Sequence, residues 1–196
     1  MLLYKDIVRD GESILKAKSS DVLIPLSEAD EQIIREMNEY LINGYDDEFV
    51  SKHDIRPGVG IAAPQIGVSK KMFCILTFDE HGDYHNYCFI NPKIISHSEE
   101  LTYLETGEGC LSVDEVHRGL IHRPKRIKVR TYLYDYETRE IMEVVMQLKG
   151  YLAIVFQHEY DHLFGKLFFD HINKENPFYV PVNSKPIHFD FEDEVE

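Results

Sequence analysis

No stretch of this chain approaches the roughly 18 apolar residues that a bilayer-spanning helix needs, so no membrane span is expected. Cysteine is scarce. Cys74, Cys88 and Cys110 are odd in number and follow no pairing pattern, which argues against a disulfide scaffold and for free thiols in a reducing compartment. Positive charge is in deficit: 21 Lys and Arg stand against 35 Asp and Glu, for a formal net charge of −14. A surface of that sign repels phosphate backbones, so nucleic acid is not expected as a direct ligand. There is no internal repeat, low-complexity tract or flexible linker. The opening Met1-Leu2-Leu3-Tyr4-Lys5-Asp6 meets charge at once, without a signal peptide's apolar stretch. The expectation is a soluble, cytoplasmic protein. Its 196 residues, 43% hydrophobic and 29% charged, are ordinary globular composition and enough chain for one buried core. We therefore expect a single domain over 1–196, with the five carboxylates of Asp190–Glu196 forming a solvated, disordered tail.

Residues 1–26 read as irregular chain wrapping the domain. A helix is predicted from Ser27, which forms a capping-box-like pair with Asp30; Ile33, Ile34, Met37 and Leu41 recur at helical spacing until Gly44. Residues 45–58 are polar and punctuated, giving a loop with room for a short helix. Met72–Phe78 and Tyr87–Ile90 read as strands, and Ile127–Tyr134 with Ile141–Leu148 as a hairpin about a polar turn. A second long helix follows Gly150 and ends near Gly165. Helix, strands, then helix, without βαβ alternation, is an α+β pattern.

That second helix carries His158-Glu159-Tyr160-Asp161-His162. Residues four apart share a helix face, so two imidazoles can grip one metal while Glu159 stands beside an open coordination position. Tyr151, Ile154 and Val155 lie on the same face and offer an apolar wall. A catalytic site needs three protein ligands and a water. The extended pattern HExxHxxGxxH is met through Gly165 and fails at Phe168, and Glu175, Glu192 and Glu194 are unconvincing as ligands. Cys110, following two glycines in Thr106-Gly107-Glu108-Gly109-Cys110-Leu111-Ser112, is the natural candidate for a third ligand. Cys74 and Cys88, inside apolar strands, read as small hydrophobes. Gly58-Val59-Gly60-Ile61-Ala62-Ala63-Pro64-Gln65-Ile66-Gly67 has no phosphate-loop context. Two readings stay open for it: a tight turn feeding a buried segment, or backbone at Val59 and Gly60 that pairs with an extended peptide while Gln65 points into a site.

Taken in order, Gly58–Gln65, Glu108–Ser112 and Gln157–His162 resemble the three signature motifs of the peptide deformylases. The long stretch before the first motif, with Asp46-Asp47-Glu48, resembles the type 2 branch common in Gram-positive bacteria. The resemblance implies mixed and antiparallel sheets packed around a central helix bearing the HExxH motif, with an N-terminal helix outside. It implies a metal-dependent hydrolase that removes the formyl group from N-formyl-methionyl nascent peptides and releases formate. Cys110, His158 and His162 would bind the metal. Family usage implies Fe2+, with Zn2+, Ni2+ or Co2+ also accepted, whereas coordination logic alone suggests zinc. Glu159 would be the general acid/base, Gln65 and the Leu111 N–H would polarise the formyl oxygen, and Arg123 would pair with Glu108 behind the metal. No long C-terminal helix follows His171, so ribosome docking through one is not carried over. A general HExxH endopeptidase and a non-catalytic metal-binding paralogue are the competing readings. Two features get bland readings. Beyond Pro124, the basic run to Arg130 alternates with Ile127 and Val129 and reads as a strand's solvent face rather than a ribosomal contact, and His117, His122 and His171 read as surface or structural groups rather than ligands.

Overall fold

Ser27 and Gly44 bound the first helix as their chemistry requires. In a computed structural model, which describes residues 1–190, α1 spans Glu28–Asn43. The Asp30 N–H donates to Ser27 Oγ at 3.2 Å, and Glu28, Asp30 and Glu31 place negative charge at the helix's positive end. Gly44 closes the helix, its N–H donating to the Tyr40 and Leu41 carbonyls. Within the stretch read as loop with room for a short helix lies α2, Asp47–His53, with Asp46 capping the Phe49 N–H at 3.0 Å.

Among the described residues there are eight strands: β1 Gly60–Ala62, β2 Met72–Phe78, β3 Tyr84–His97, β4 Leu101–Tyr103, β5 Arg123–Pro124, β6 Arg126–Tyr134, β7 Ile141–Lys149 and β8 Ser184–Pro186. One antiparallel sheet runs β1-β2-β3-β6-β7, and a small mixed sheet runs β5-β4-β8. The α+β class holds, and the predicted hairpin is β6–β7. The strand expected at Tyr87–Ile90 is longer, because β3 continues past register shifts at Ile90/Lys93 and Ile94/Ser96 that break its alternation. The second helix, α3, spans Gly150–His162 and is capped at Leu163, two residues before Gly165, near which its end was expected.

α1 lays Ile34, Met37 and Leu41 against Ile61, Met72, Cys74 and Ile90 on one face of the large sheet. On the opposite face, Leu152, Val155 and Phe156 of α3 meet Phe73, Phe89, Ile127 and Val129, with Phe89 and Phe156 edge-to-face at 4.9 Å. Each such side chain contributes about 1.5–3 kcal/mol by leaving water. α3 also touches β4 and β5, so it is buried nearly all round and carries its polar residues into the interior. β7 passes into α3 without a loop. Gly150 takes φ +59° there, and the Tyr151 N–H donates to Glu80 Oε2 at 3.0 Å. Of the expected acidic tail only Asp190 lies within the described residues. It is docked rather than free, since its N–H donates to the Glu80 carbonyl and its carboxylate meets His81 Nδ1 at 2.7 Å.

Asp30 also joins α1 to the sheet side through Lys70. Burial opposes its ionisation, but the Lys70 ammonium and the Ser27 hydroxyl outweigh it and hold Asp30 below its ordinary 3.8. A carboxyl lowered by folding stabilises above its unfolded pKa, and that contribution disappears as pH falls through the folded value. Asp30→Asn should therefore cost about 1–3 kcal/mol in urea unfolding at neutral pH. The gap from wild type should close below pH 3.8.

Candidate metal and catalytic site

Three segments meet over α3. Cys110 Sγ lies 3.3 Å from His162 Nε2, and the candidate ligand atoms of Cys110, His158 and His162 all fall within 4.8 Å of one another. No other cluster of three such residues occurs among the described residues. The His158 Nδ1–H donates to Glu108 Oε2 at 2.8 Å, which leaves Nε2 as the nitrogen with a free lone pair. Glu108 is held in turn by Arg123, through Nε to Oε1 at 2.6 Å and Nη2 to Oε2 at 2.9 Å. Arg123 Nη1 donates to Asp161 Oδ2 at 2.9 Å, and the same oxygen meets His171 Nε2 at 2.8 Å.

The donor set fits a divalent metal. Burial works against a Cys110 thiolate, yet the charge of His162 and the hydrogen bonds of both imidazoles bring the thiol down to about 5. Burial likewise opposes Glu108, but the Arg123 guanidinium and His158 hold it down at about 2. Glu108 therefore stays ionised to orient its histidine. His162 Nδ1 is buried without a hydrogen-bond partner among the described residues. Glu159 Oε2 is the other orphan here. Burial pushes its carboxyl up to about 7, against the lowering effect of His158 and His162.

Gln65 is fixed at both ends of its amide. Its Oε1 accepts from the Ala62 N–H at 2.8 Å, so Nε2 faces Ser112 Oγ at 3.2 Å and Cys110 Sγ at 3.5 Å. The Cys110-Leu111 loop is clamped from the N-terminal segment, where Arg9 donates to the Leu111 carbonyl at 3.0 Å. A cleft of about 300 Å³ opens over these groups. Its walls include Val59, Gly60, Tyr151, Ile154 and Val155, with Gln65, Cys110, Leu111, His158 and Glu159 at its polar end.

The polypeptide deformylase family model matches residues 4–178. The chain belongs to the polypeptide deformylase family. Peptide deformylase 2 of Bacillus anthracis is 50% identical over 187 residues, covering 95% of this chain and 99% of that protein. The peptide deformylase of Macrococcus caseolyticus is 51% identical over 181 residues, covering 92% and 96%. Among solved structures, the Met-Ala-Ser-bound class I type b peptide deformylase from Acinetobacter baumannii is similar with a TM-score of 0.64. It is 29% identical, with 85% of this chain and 96% of that one covered. The Bacillus and Macrococcus relatives agree with the Gram-positive-type branch of the deformylases.

Within this deformylase chain, the residues singled out by sequence converge, with differences in detail. His162 and Arg123 sit behind the cleft rather than in its wall. The carbonyl of Val59 accepts from the Leu76 N–H at 2.9 Å, so it belongs to the sheet and not to a ligand. β1 is nonetheless the edge strand, with its second side unpaired in the sheet order. His117, His122 and His171 are outside the ligand cluster, as expected: His117 stacks on Phe169 and His122 meets Ser184 Oγ. Sequence reasoning missed Arg56 and Leu104 in the wall, Ser112 beside Gln65, and the Asp161–His171 extension of the Arg123 network. Gly60 has a specific duty. A Cβ there would lie 2.7 Å from Glu159 Cδ. Gly60→Ala should displace that carboxylate, cutting kcat by about 10²-fold while the melting temperature scarcely moves.

Proposed function

We propose that this chain is a metal-dependent peptide deformylase, hydrolysing the N-formyl group of formyl-methionyl nascent peptides to formate and a free N-terminal methionine. The observation that carries this reading is the convergence of Gln65, Cys110, His158 and Glu159 on one small cleft. We take the chain as one catalytic domain organised around α3, with α1 outside, working in the cytoplasm where formylated chains are made. Cys110, His158 and His162 are the metal ligands, with Fe2+ as the working ion and Zn2+, Ni2+ or Co2+ able to replace it. When bound, the ion supplies Lewis acidity that makes water a competent nucleophile near neutral pH.

The chain's own groups then divide the work. Ile154, Val155 and Tyr151 form an apolar wall for the methionine side chain, and the open edge of β1 lets extended peptide backbone lie along Val59-Gly60. The Met-Ala-Ser bound in the Acinetobacter protein is a peptide of the class this cleft would release. As water attacks the formyl carbon, Glu159 takes its proton; a carboxyl near 7 both accepts and returns one. Negative charge grows on the formyl oxygen and is met by Gln65 Nε2–H and by the Leu111 N–H, which donates to no other described group. The C–N bond breaks as Glu159 passes its proton to the departing amine. Glu108, Arg123 and Asp161 position His158 and take no proton.

Product analysis by mass spectrometry separates this reading from an endopeptidase. A deformylase converts a formyl-Met tripeptide to the intact free-amine tripeptide, whereas internal cleavage would contradict the proposal. The choice of iron has its own consequence. A thiolate and a redox-active ion share one site, so the iron form should lose most activity within hours in air while a zinc form keeps it. Iron-loaded protein that stays fully active in air would argue against Fe2+ as the working ion.

A further inference from the structure

The expectation that nucleic acid is no ligand rested on total charge, but the fold sorts that charge by face. Lys93, Arg126, Lys128, Arg130 and Lys149 are all exposed. The registers set Lys93 opposite Arg130, Arg126 opposite Lys149, and Lys128 opposite Gln147, so the five cations share one face of the large sheet. Tyr132 and Tyr134 continue the same alternation and pack with the α1 cluster, while Ile127 and Val129 point to α3. α1 packs over β1 and β2 and leaves the β6–β7 part of its face open. Among the described residues only Arg126 of the five meets a carboxylate, Glu100 at 3.0 Å, which Lys125 shares. Glu143 is the one acidic residue that the β6–β7 register adds to this face. Beside the register shift at Ile94/Ser96, at the border of this face, lies a cavity of about 260 Å³ lined by Ser96, His97, Ser98, Arg126, Ile127, Lys128 and Gln147.

We propose that this basic face docks the phosphodiester backbone of RNA. Cations two residues apart on β6 stand about 7 Å apart, and neighbouring strands about 4.8 Å, so the face is a regular grid of charge. A partner whose charge repeats along its length meets several of these cations at once; the scattered carboxylates of a folded protein do not. Ser96 and Gln147 in the cavity offer both donors and acceptors, which suits a 2′-hydroxyl. The exposed aromatic residues on this side of the sheet, Phe78 and Tyr84, pair with each other at the far end of β2 and β3, so neither stands among the five cations to seat them in a lipid headgroup layer. The −14 of the whole chain repels phosphates elsewhere and steers them here. This docking stands apart from the proposed hydrolysis, because the face and α3 lie on opposite sides of the sheet.

Fluorescence polarisation of a labelled RNA duplex tests it, with the intact protein. Wild type should bind at low salt, log K falling with log[salt] at a slope of about −4. Lys128→Glu/Arg130→Glu should weaken binding at least about ten-fold and flatten the slope by about 2. The equal charge change Lys5→Glu/Lys52→Glu should leave binding nearly unaltered, and neither variant should change formate release from a short peptide. The proposal is overturned if wild type does not bind RNA, if both variants weaken it alike, or if Lys128→Glu/Arg130→Glu binds as wild type. Binding to phosphatidylserine vesicles without binding to RNA overturns it in favour of a membrane.

Discussion

Glu159→Gln is expected to keep its metal and its fold while kcat falls about 10²–10⁴-fold, the usual contribution of general acid–base catalysis. Gln has the same shape, and Glu159 makes no side-chain hydrogen bond whose loss would loosen α3, since its Oε2 is buried and unpartnered. The amide removes only the capacity to take and return a proton. A structural role predicts something else: lower melting temperature and lower metal content together, with rate loss in proportion to lost metal. Steady-state kinetics beside metal analysis separates the two. Activity within a few-fold of wild type would remove Glu159 from the reaction. Asp161 is no substitute, being tied to Arg123 and His171, and Glu108 is committed to Arg123 and His158.

Cys110→Ala should take metal content from about one ion per chain to near zero and abolish formate release. Cys74→Ala and Cys88→Ala should retain both. The three thiols differ by environment: Cys110 is held down at about 5 beside two imidazoles, whereas burial pushes Cys88 well above its ordinary value. Cys74 and Cys88 face each other across β2 and β3, fully enclosed in the sheet. Full metal retention in Cys110→Ala would move the third ligand elsewhere and revive the endopeptidase reading.

What could be read in advance follows from how each element is encoded. α1, β2, the β6–β7 hairpin and α3 carry long periodic patterns or clear caps, so their sequences announce them. β4, β5 and β8 are two or three residues each and exist through distant pairing, such as Leu101 opposite Ser184. No local signal marks them. β3 hides its second half because Asn91 takes φ +49° and the bulges interrupt its alternation. At the site, His158, Glu159 and His162 share a motif whose helical spacing carries the chemistry, whereas the roles proposed for Cys110 and Gln65 rest on the family resemblance of their segments. Arg9 and Arg56 come from irregular chain, and only the tertiary fold brings them to the Leu111 and Val113 carbonyls. Arg123, distant in sequence, reaches Asp161 and draws it into the network behind His158. Composition likewise carries no information about which face a lysine occupies, so the clustering of Lys93, Arg126, Lys128, Arg130 and Lys149 could not be read from total charge.

The most direct test of the account is the rate of formate release from a formyl-Met peptide by anaerobically purified protein, measured against metal content as a chelator strips it. The account predicts a rate proportional to occupancy that reaches its maximum at one ion per chain and returns when Fe2+ is restored. Formate release that survives complete removal of metal, or none at full occupancy, would contradict it.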